Sequence, residues 1–168
     1  MLTREQFLPH EMRIVAALRT QGASDEQVIV RVKSENLFQY PTERMVANRA
    51  TVCLRRLDAM VPIDAACAAR GIDPKTAAEA ASFLTNLMAS GTPTQADQAI
   101  FYSMICRYDI VRELVLVEVG ERLQNFDYAF TAVDLNAFMT RFTTEYPDAA
   151  RWTEATVKRI KGSLRPVS

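Results

Sequence analysis

Helix-opening signals recur along the whole chain, each followed by apolar residues at three- and four-residue steps, and this punctuation leaves little room for anything but helices. Pro9 suits the opening turn of a first helix, from Pro9 to Thr20, which carries Ile14, Ala17 and Leu18 on one face and is closed by Gly22. Ser24 and Gln27 fit a capping box with acids in the first turn, and Val28, Ile29 and Val32 follow as the apolar face of a second helix. Asp73 and Pro74 make a cap and a first turn before the alanine-rich run from Thr76 to Ala89, where Phe83, Leu84, Leu87 and Met88 supply bulk. Gly91 ends that helix, and Pro93 and Thr94 restart the chain, with Thr94 and Asp97 as the next capping box. From Ala96 to Leu123 the pattern predicts one long helix, bent near Tyr108 and Asp109 and the most enclosed of the chain. Its β-branched stretch, Val111 and Leu114 to Val119, also suits a strand, but the length of the run and Glu113, Glu118 and Glu121 favour helix. Thr131 and Asp134 cap a helix through Tyr146, buried through Leu135, Phe138, Met139 and Phe142, with Phe126, Tyr128 and Phe130 before it expected to cover the core. After Pro147 a last helix opens at Trp152 and Thr153 and carries Val157, Ile160 and Leu164 as its stripe. The fold expected is all-α, a compact multi-helix bundle forming a single domain over 1–168, with sub-elements 1–60, 61–130 and 131–168.

The stretch ENLFQYPTERMVANRATVCLRRL, Glu35 to Leu57, combines a connector with an arginine-bearing helix. Leu37, Phe38 and Tyr40 are too apolar for an idle linker and are expected to fix the angle between the second and third helices. Thr42 is the N-cap of the third, and Val46, Ala50, Cys53, Leu57 and Met60 are its buried stripe. Arg44, Asn48, Thr51 and Arg55 occupy the opposite face, with Arg49 and Arg56 at the flank. Pro62 should break the helix, and a short helix from Ile63 to Arg70 leads to Gly71.

Chemistry finds little purchase in the rest. His10 is the one histidine, so neither a histidine metal site nor a histidine-based hydrolase is available, and glycines are too few and scattered for phosphate or dinucleotide loops. Cys53, Cys67 and Cys106 lack metal spacing and are expected to be buried free thiols of a reducing compartment. The helical acids Asp109, Glu113, Glu118 and Glu121 suit a solvated face better than a catalytic pair. With no leader or membrane-spanning pattern, a cytoplasmic protein that is not an enzyme and takes no cofactor or metal is expected.

Net charge is zero, but its distribution is uneven: residues 109–134 hold two basic side chains against six acids, and residues 151–168 hold five against one. Arginines suit phosphate contact because their planar donors grip two oxygens, so the face of Arg44, Asn48, Thr51 and Arg55 could lie along a nucleic-acid backbone. The last two helices follow the order of a helix-turn-helix, with Lys158, Lys161 and Arg165 on one side of the final helix and Arg159 on another. The connector from Pro147 to Trp152 is longer than the usual turn.

Taken in order, ENLFQYPTERMVANRATVCLRRL, the later AIFYSMICRYDIVRELVLVEVGERL and the closing helix after Trp152 and Thr153 resemble the BrxA family of the bacterial BREX phage-defence systems, from about Glu11 to Leu164. The resemblance implies helical packing similar to the NusB antitermination fold, binding to double-stranded DNA and work beside other BREX components. Residues 36–41 match the family's connector, Arg44, Arg49, Arg55 and Arg56 match its basic helix, and Arg107 and Arg112 match its central motif as secondary phosphate contacts. Family members often continue towards a small winged element, whereas this sequence reads Arg165-Pro166-Val167-Ser168 after the last helix, which puts a wing-based DNA contact in doubt. Protein docking through the Leu37, Phe38 and Tyr40 corner or through the acidic 109–134 region, and RNA binding, are the alternatives, and the oligomeric state is open.

Overall fold

A computed structural model describes residues 7–61, 69 and 71–164. Pro62, Cys67, the helix expected from Ile63 to Arg70, and Arg165 therefore lie outside the described residues. Among the described residues every regular element is helical. The chain divides into two compact units, Phe7–Arg107 and one that takes in Tyr108–Ser168.

In the first unit α1 (Pro9–Thr20), α2 (Asp25–Ser34), α3 (Glu43–Ala59), α4 (Pro74–Ser90) and α5 (Pro93–Arg107) start where the capping chemistry places them. Ser24 and Gln27 form the reciprocal box, the Ser24 hydroxyl accepting from the Gln27 amide and the Gln27 side chain from that of Ser24. Thr42 caps α3 and Asp73 caps α4, with Pro74 in its first turn. The expected Thr94–Asp97 box is not used. Thr92 and Gln95 pair instead, which leaves Pro93 at the first helical position, where its missing N–H costs nothing.

α1 packs against α2, α3, α4 and α5. Met12, Val15 and Ala16 are wholly buried, so α1 is the enclosed helix of this unit, not the 96–123 run. The α3 stripe is as expected: Val46, Ala50, Cys53, Leu57 and Met60 are all buried. Phe38 joins this core, with Leu37 and Tyr40 packed at its edge. Each fully buried side chain of Val or Phe size contributes roughly 1.5–3 kcal/mol of transfer free energy, which outweighs the few tenths available from any exposed ion pair.

The run expected as one helix breaks where the bend was placed. α5 ends at Arg107, Tyr108 adopts extended backbone with φ −118° and ψ 113°, and α6 (Asp109–Glu113) restarts the helix. It continues as a π-helical segment, Leu114–Val119, and α7 (Gly120–Gln124). The β-branched stretch is thus helical but widened, its hydrogen bonds spanning one residue more than those of an α-helix. Leu116 and Leu123 are more than half exposed. Further on, α8 (Ala132–Glu145) opens on the Thr131–Asp134 box, a 3-10 turn (Ala149–Arg151) follows, and α9 (Glu154–Leu164) packs on α8. Leu135, Phe138, Met139, Phe142 and Ile160 are buried, and the Phe142 ring stacks on Tyr146 at 4.2 Å and on Trp152 at 5.9 Å.

Helix exits in both units share one geometry. After α1, α2 and α7 the chain turns back through a left-handed residue, whose own N–H and that of the following residue close onto the last turn, the latter from Ala23 to the Leu18 carbonyl, Leu37 to that of Val32 and Asp127 to that of Arg122. The left-handed residues are Gly22, Asn36 and Phe126. Glycine and asparagine tolerate that conformation, but phenylalanine does not. Phe126 also fails to cover the core as expected, being 80 % exposed, so no packing offsets its strained backbone. Replacing Phe126 by glycine relieves about 1–2 kcal/mol of Cβ strain and costs about 0.5–1 kcal/mol of backbone entropy, so a net gain of roughly 0.5 kcal/mol is expected. A urea melt that shows clear destabilisation would contradict this.

Candidate nucleic-acid interface

The exposed face of α3 is built by position and by neighbours. Arg44, Asn48, Thr51 and Arg55 fall within about 60° of helical arc, and the two arginines are about 16 Å apart along the axis. Arg44, Asn48 and Arg55 are exposed. The acids at the two ends of α3 are met by cations of other helices: Lys33 of α2 binds Glu43 at 3.2 Å, and Arg19 of α1 binds Asp58 at 2.9 Å while also binding Asp25 at 2.9 Å. Among the described residues neither Arg44 nor Arg55 has a carboxylate within ion-pair distance, so the face carries uncompensated positive charge.

Other expected contacts are engaged within the chain. Thr51 is half-buried and its hydroxyl donates to the Ala47 carbonyl within the helix. Arg56, expected at the flank, is wholly buried, and its guanidinium donates to the Phe7 carbonyl at 3.1 Å. This corrects its reading as a phosphate contact, since a side chain with no accessible surface reaches no external phosphate. Its position on α3 is about 80° from the centre of the apolar stripe, close enough for the core to take in its stem. Arg49 is half-buried, and its charge acts inward on Tyr40 and Cys53. Beside them lies a buried carboxylate that the sequence did not flag: Glu11 accepts a hydrogen bond from the Tyr40 hydroxyl. Arg49 and Arg56 thus belong to an internal polar cluster with Glu11 and Tyr40, which fastens the connector to α1.

That cluster sets an alkaline limit. The hydrogen bond to Glu11 raises the Tyr40 pKa above its ordinary value, and burial pushes the Cys53 thiol up to about 12. Both groups are held protonated in the folded chain beyond the pH at which the unfolded chain ionises. Their contribution to stability is complete below the unfolded thiol value of about 8.5 and is lost progressively as pH rises from there towards 12. Cys53 is accordingly expected to resist an alkylating reagent at pH 8 until denaturant is added; rapid labelling of native Cys53, located by mass spectrometry, would contradict its enclosure.

On the second unit Arg112 is engaged by Asp109, Arg141 by Glu118, and Tyr146 donates to Glu113. Asp109, Glu113 and Glu118 are therefore engaged internally, and Arg112 is a poor phosphate contact. Arg107 is exposed at the end of α5. On α9 Lys158 and Arg159 are exposed and Lys161 is half-buried. Among the described residues no group of His, Cys, Asp or Glu is placed to hold a metal ion, and no helix is long and apolar enough to cross a membrane.

A family model described as BrxA matches residues 1–165. No curated protein and no solved structure shows a significant match.

Proposed function

The chain belongs to the BrxA family, and from that premise we propose that it is a non-enzymatic accessory protein of BREX phage defence that binds double-stranded DNA through the exposed face of α3. Membership supports the accessory role. The single observation that supports the DNA reading is the pairing pattern around α3: neighbouring helices supply cations to Glu43 and Asp58, Arg19 being shared with Asp25, while Arg44, Asn48 and Arg55 stay exposed on one face. Two guanidiniums and an amide on a rigid, capped helix suit phosphate and groove-edge contacts, and so few groups near base edges favour binding with little sequence preference. The reading is carried by α3 alone and does not need the α9 cations.

Titration of the purified chain against duplex DNA, single-stranded DNA and duplex RNA at two salt concentrations tests it. Duplex DNA is expected to bind at low salt and to weaken steeply as salt rises. Preference for duplex RNA would instead favour the antitermination-like reading that NusB-like packing implies, and absence of duplex DNA binding at low salt would overturn the proposal.

A further inference from the structure

Two features of the unit Tyr108–Ser168 are unaccounted for by DNA binding, and each has what the other lacks. The first is the loop after α7. Phe126 is 80 % and Tyr128 75 % exposed, yet the loop that carries them is braced from one side chain. Arg122 donates to Asp127 at 2.6 Å, to the Ala129 carbonyl at 2.8 Å and to Asp134 at 2.6 Å, and lies over the Phe130 ring at 5.6 Å. Asp127 in turn accepts from the Ala129 amide. Phe126, left-handed and held out into solvent by a loop braced through Arg122, is a backbone outlier that packing does not explain and that an external contact would. Asp127 and Asp134 share the single guanidinium of Arg122, which leaves the aromatic knob with a net negative collar.

The second feature is a hollow of about 320 Å³ at the start of α9, lined by Trp152, Glu154, Val157, Lys158 and Lys161. The Trp152 wall is stiffened by its stack on Phe142. An apolar cavity of about 150 Å³ accepts a benzene molecule, so the hollow has room for an aromatic ring. Its charge is the reverse of the knob's, with two lysines against Glu154, and among the described residues neither lysine has a carboxylate within ion-pair distance. The exposure of Phe126 and Tyr128 shows that the knob does not occupy the hollow of its own chain.

We propose that copies of this chain associate head to tail, with Phe126 and Tyr128 of one copy seated in the Trp152 hollow of the next and Lys158 and Lys161 meeting the acidic collar. The contact is heterologous, so it propagates into short open chains unless it closes into a ring. It stands apart from the DNA reading, which rests on α3.

Sedimentation velocity of the full chain over a wide concentration range, without DNA, tests this. The wild-type mass is expected to rise with concentration and to fall back with added salt. Phe126→Gly/Tyr128→Ser and Lys158→Glu/Lys161→Glu are each expected to remain monomeric, and an equimolar mixture of the two to form a species of two chains and no larger, because only one knob and one hollow remain to meet. Circular dichroism on each variant confirms that it is folded. A wild-type chain that is monomeric throughout, variants that associate like the wild type, or folded variants that fail to complement would each overturn the proposal. So would a loop variant that loses duplex DNA affinity while the wild type stays monomeric, since that would assign the aromatics to nucleic acid. Charge reversal of Arg44 and Arg55 is expected to leave the association intact, which separates failure of this proposal from failure of the DNA reading.

Discussion

Replacing Arg56 by alanine is expected to destabilise the chain by about 3–5 kcal/mol, a loss read as a lowered urea midpoint. Two costs combine. The long side chain is wholly buried, so its removal leaves a cavity among α3 and its neighbours that alanine cannot fill. The Phe7 carbonyl also loses its guanidinium donor, and a half-buried acceptor left without one costs about 1–3 kcal/mol. Against a typical total stability of about 5–15 kcal/mol this is a large fraction, and partial unfolding at ordinary temperature is expected. The protein that remains folded should bind duplex DNA with unchanged affinity. Loss of affinity without any shift in the urea midpoint would instead return Arg56 to the binding surface.

Charge reversal at Arg44 and Arg55 is expected to do the converse. Both side chains are exposed on α3, and neither has a carboxylate partner among the described residues, so their replacement by glutamate leaves no buried donor or acceptor unmatched. Helicity and the urea midpoint should move little, since surface substitutions of this kind are usually within about 0.5 kcal/mol. Affinity for duplex DNA should fall by about 2–3 kcal/mol, or roughly 30- to 150-fold, from the lost phosphate contacts and the repulsion that replaces them. A folded double variant with wild-type affinity would place the interface on another face. The two predictions together divide the arginines of one helix into those that hold the fold and those that face the ligand.

Which arginine falls in which class could not be read from spacing. Arg56 lies about 80° round the helix from the apolar stripe, a border position at which an arginine either extends into solvent or snorkels along the core. Partners remote in sequence decide it, among them the Phe7 carbonyl, 49 positions away in the chain. Helix starts were legible because their determinants are local. Ser24 with Gln27, Asp73 with Pro74, and Thr131 with Asp134 each place cap and acceptor within one turn. The α5 start went to the wrong pair because Thr92–Gln95 and Thr94–Asp97 have equal spacing, although Pro93 at the first helical position argues for Thr92. The break at Tyr108 has no proline or glycine to announce it, and only its neighbouring Asp109 hinted at a restart. Phe126 was misplaced for a related reason. A helix exit of this type is normally signalled by glycine or asparagine, as at Gly22 and Asn36, and an aromatic residue there reads as core. Of the candidate interface, the shared face of Arg44, Asn48 and Arg55 was visible in the periodicity. What made it a surface of uncompensated charge was not, because Lys33–Glu43 and Arg19–Asp58 are contacts between helices.

The dependence of binding on salt reports most directly on phosphate contacts at that surface. Affinity for one duplex DNA should be measured over a series of salt concentrations for the wild-type chain and for Arg44→Ala/Arg55→Ala. Each phosphate contact contributes about 0.9 to the slope of log affinity against log salt, so the double variant is expected to bind more weakly and with a slope shallower by about 2. Equal slopes and equal affinities for the two proteins would contradict the assignment of α3 as the DNA-binding face.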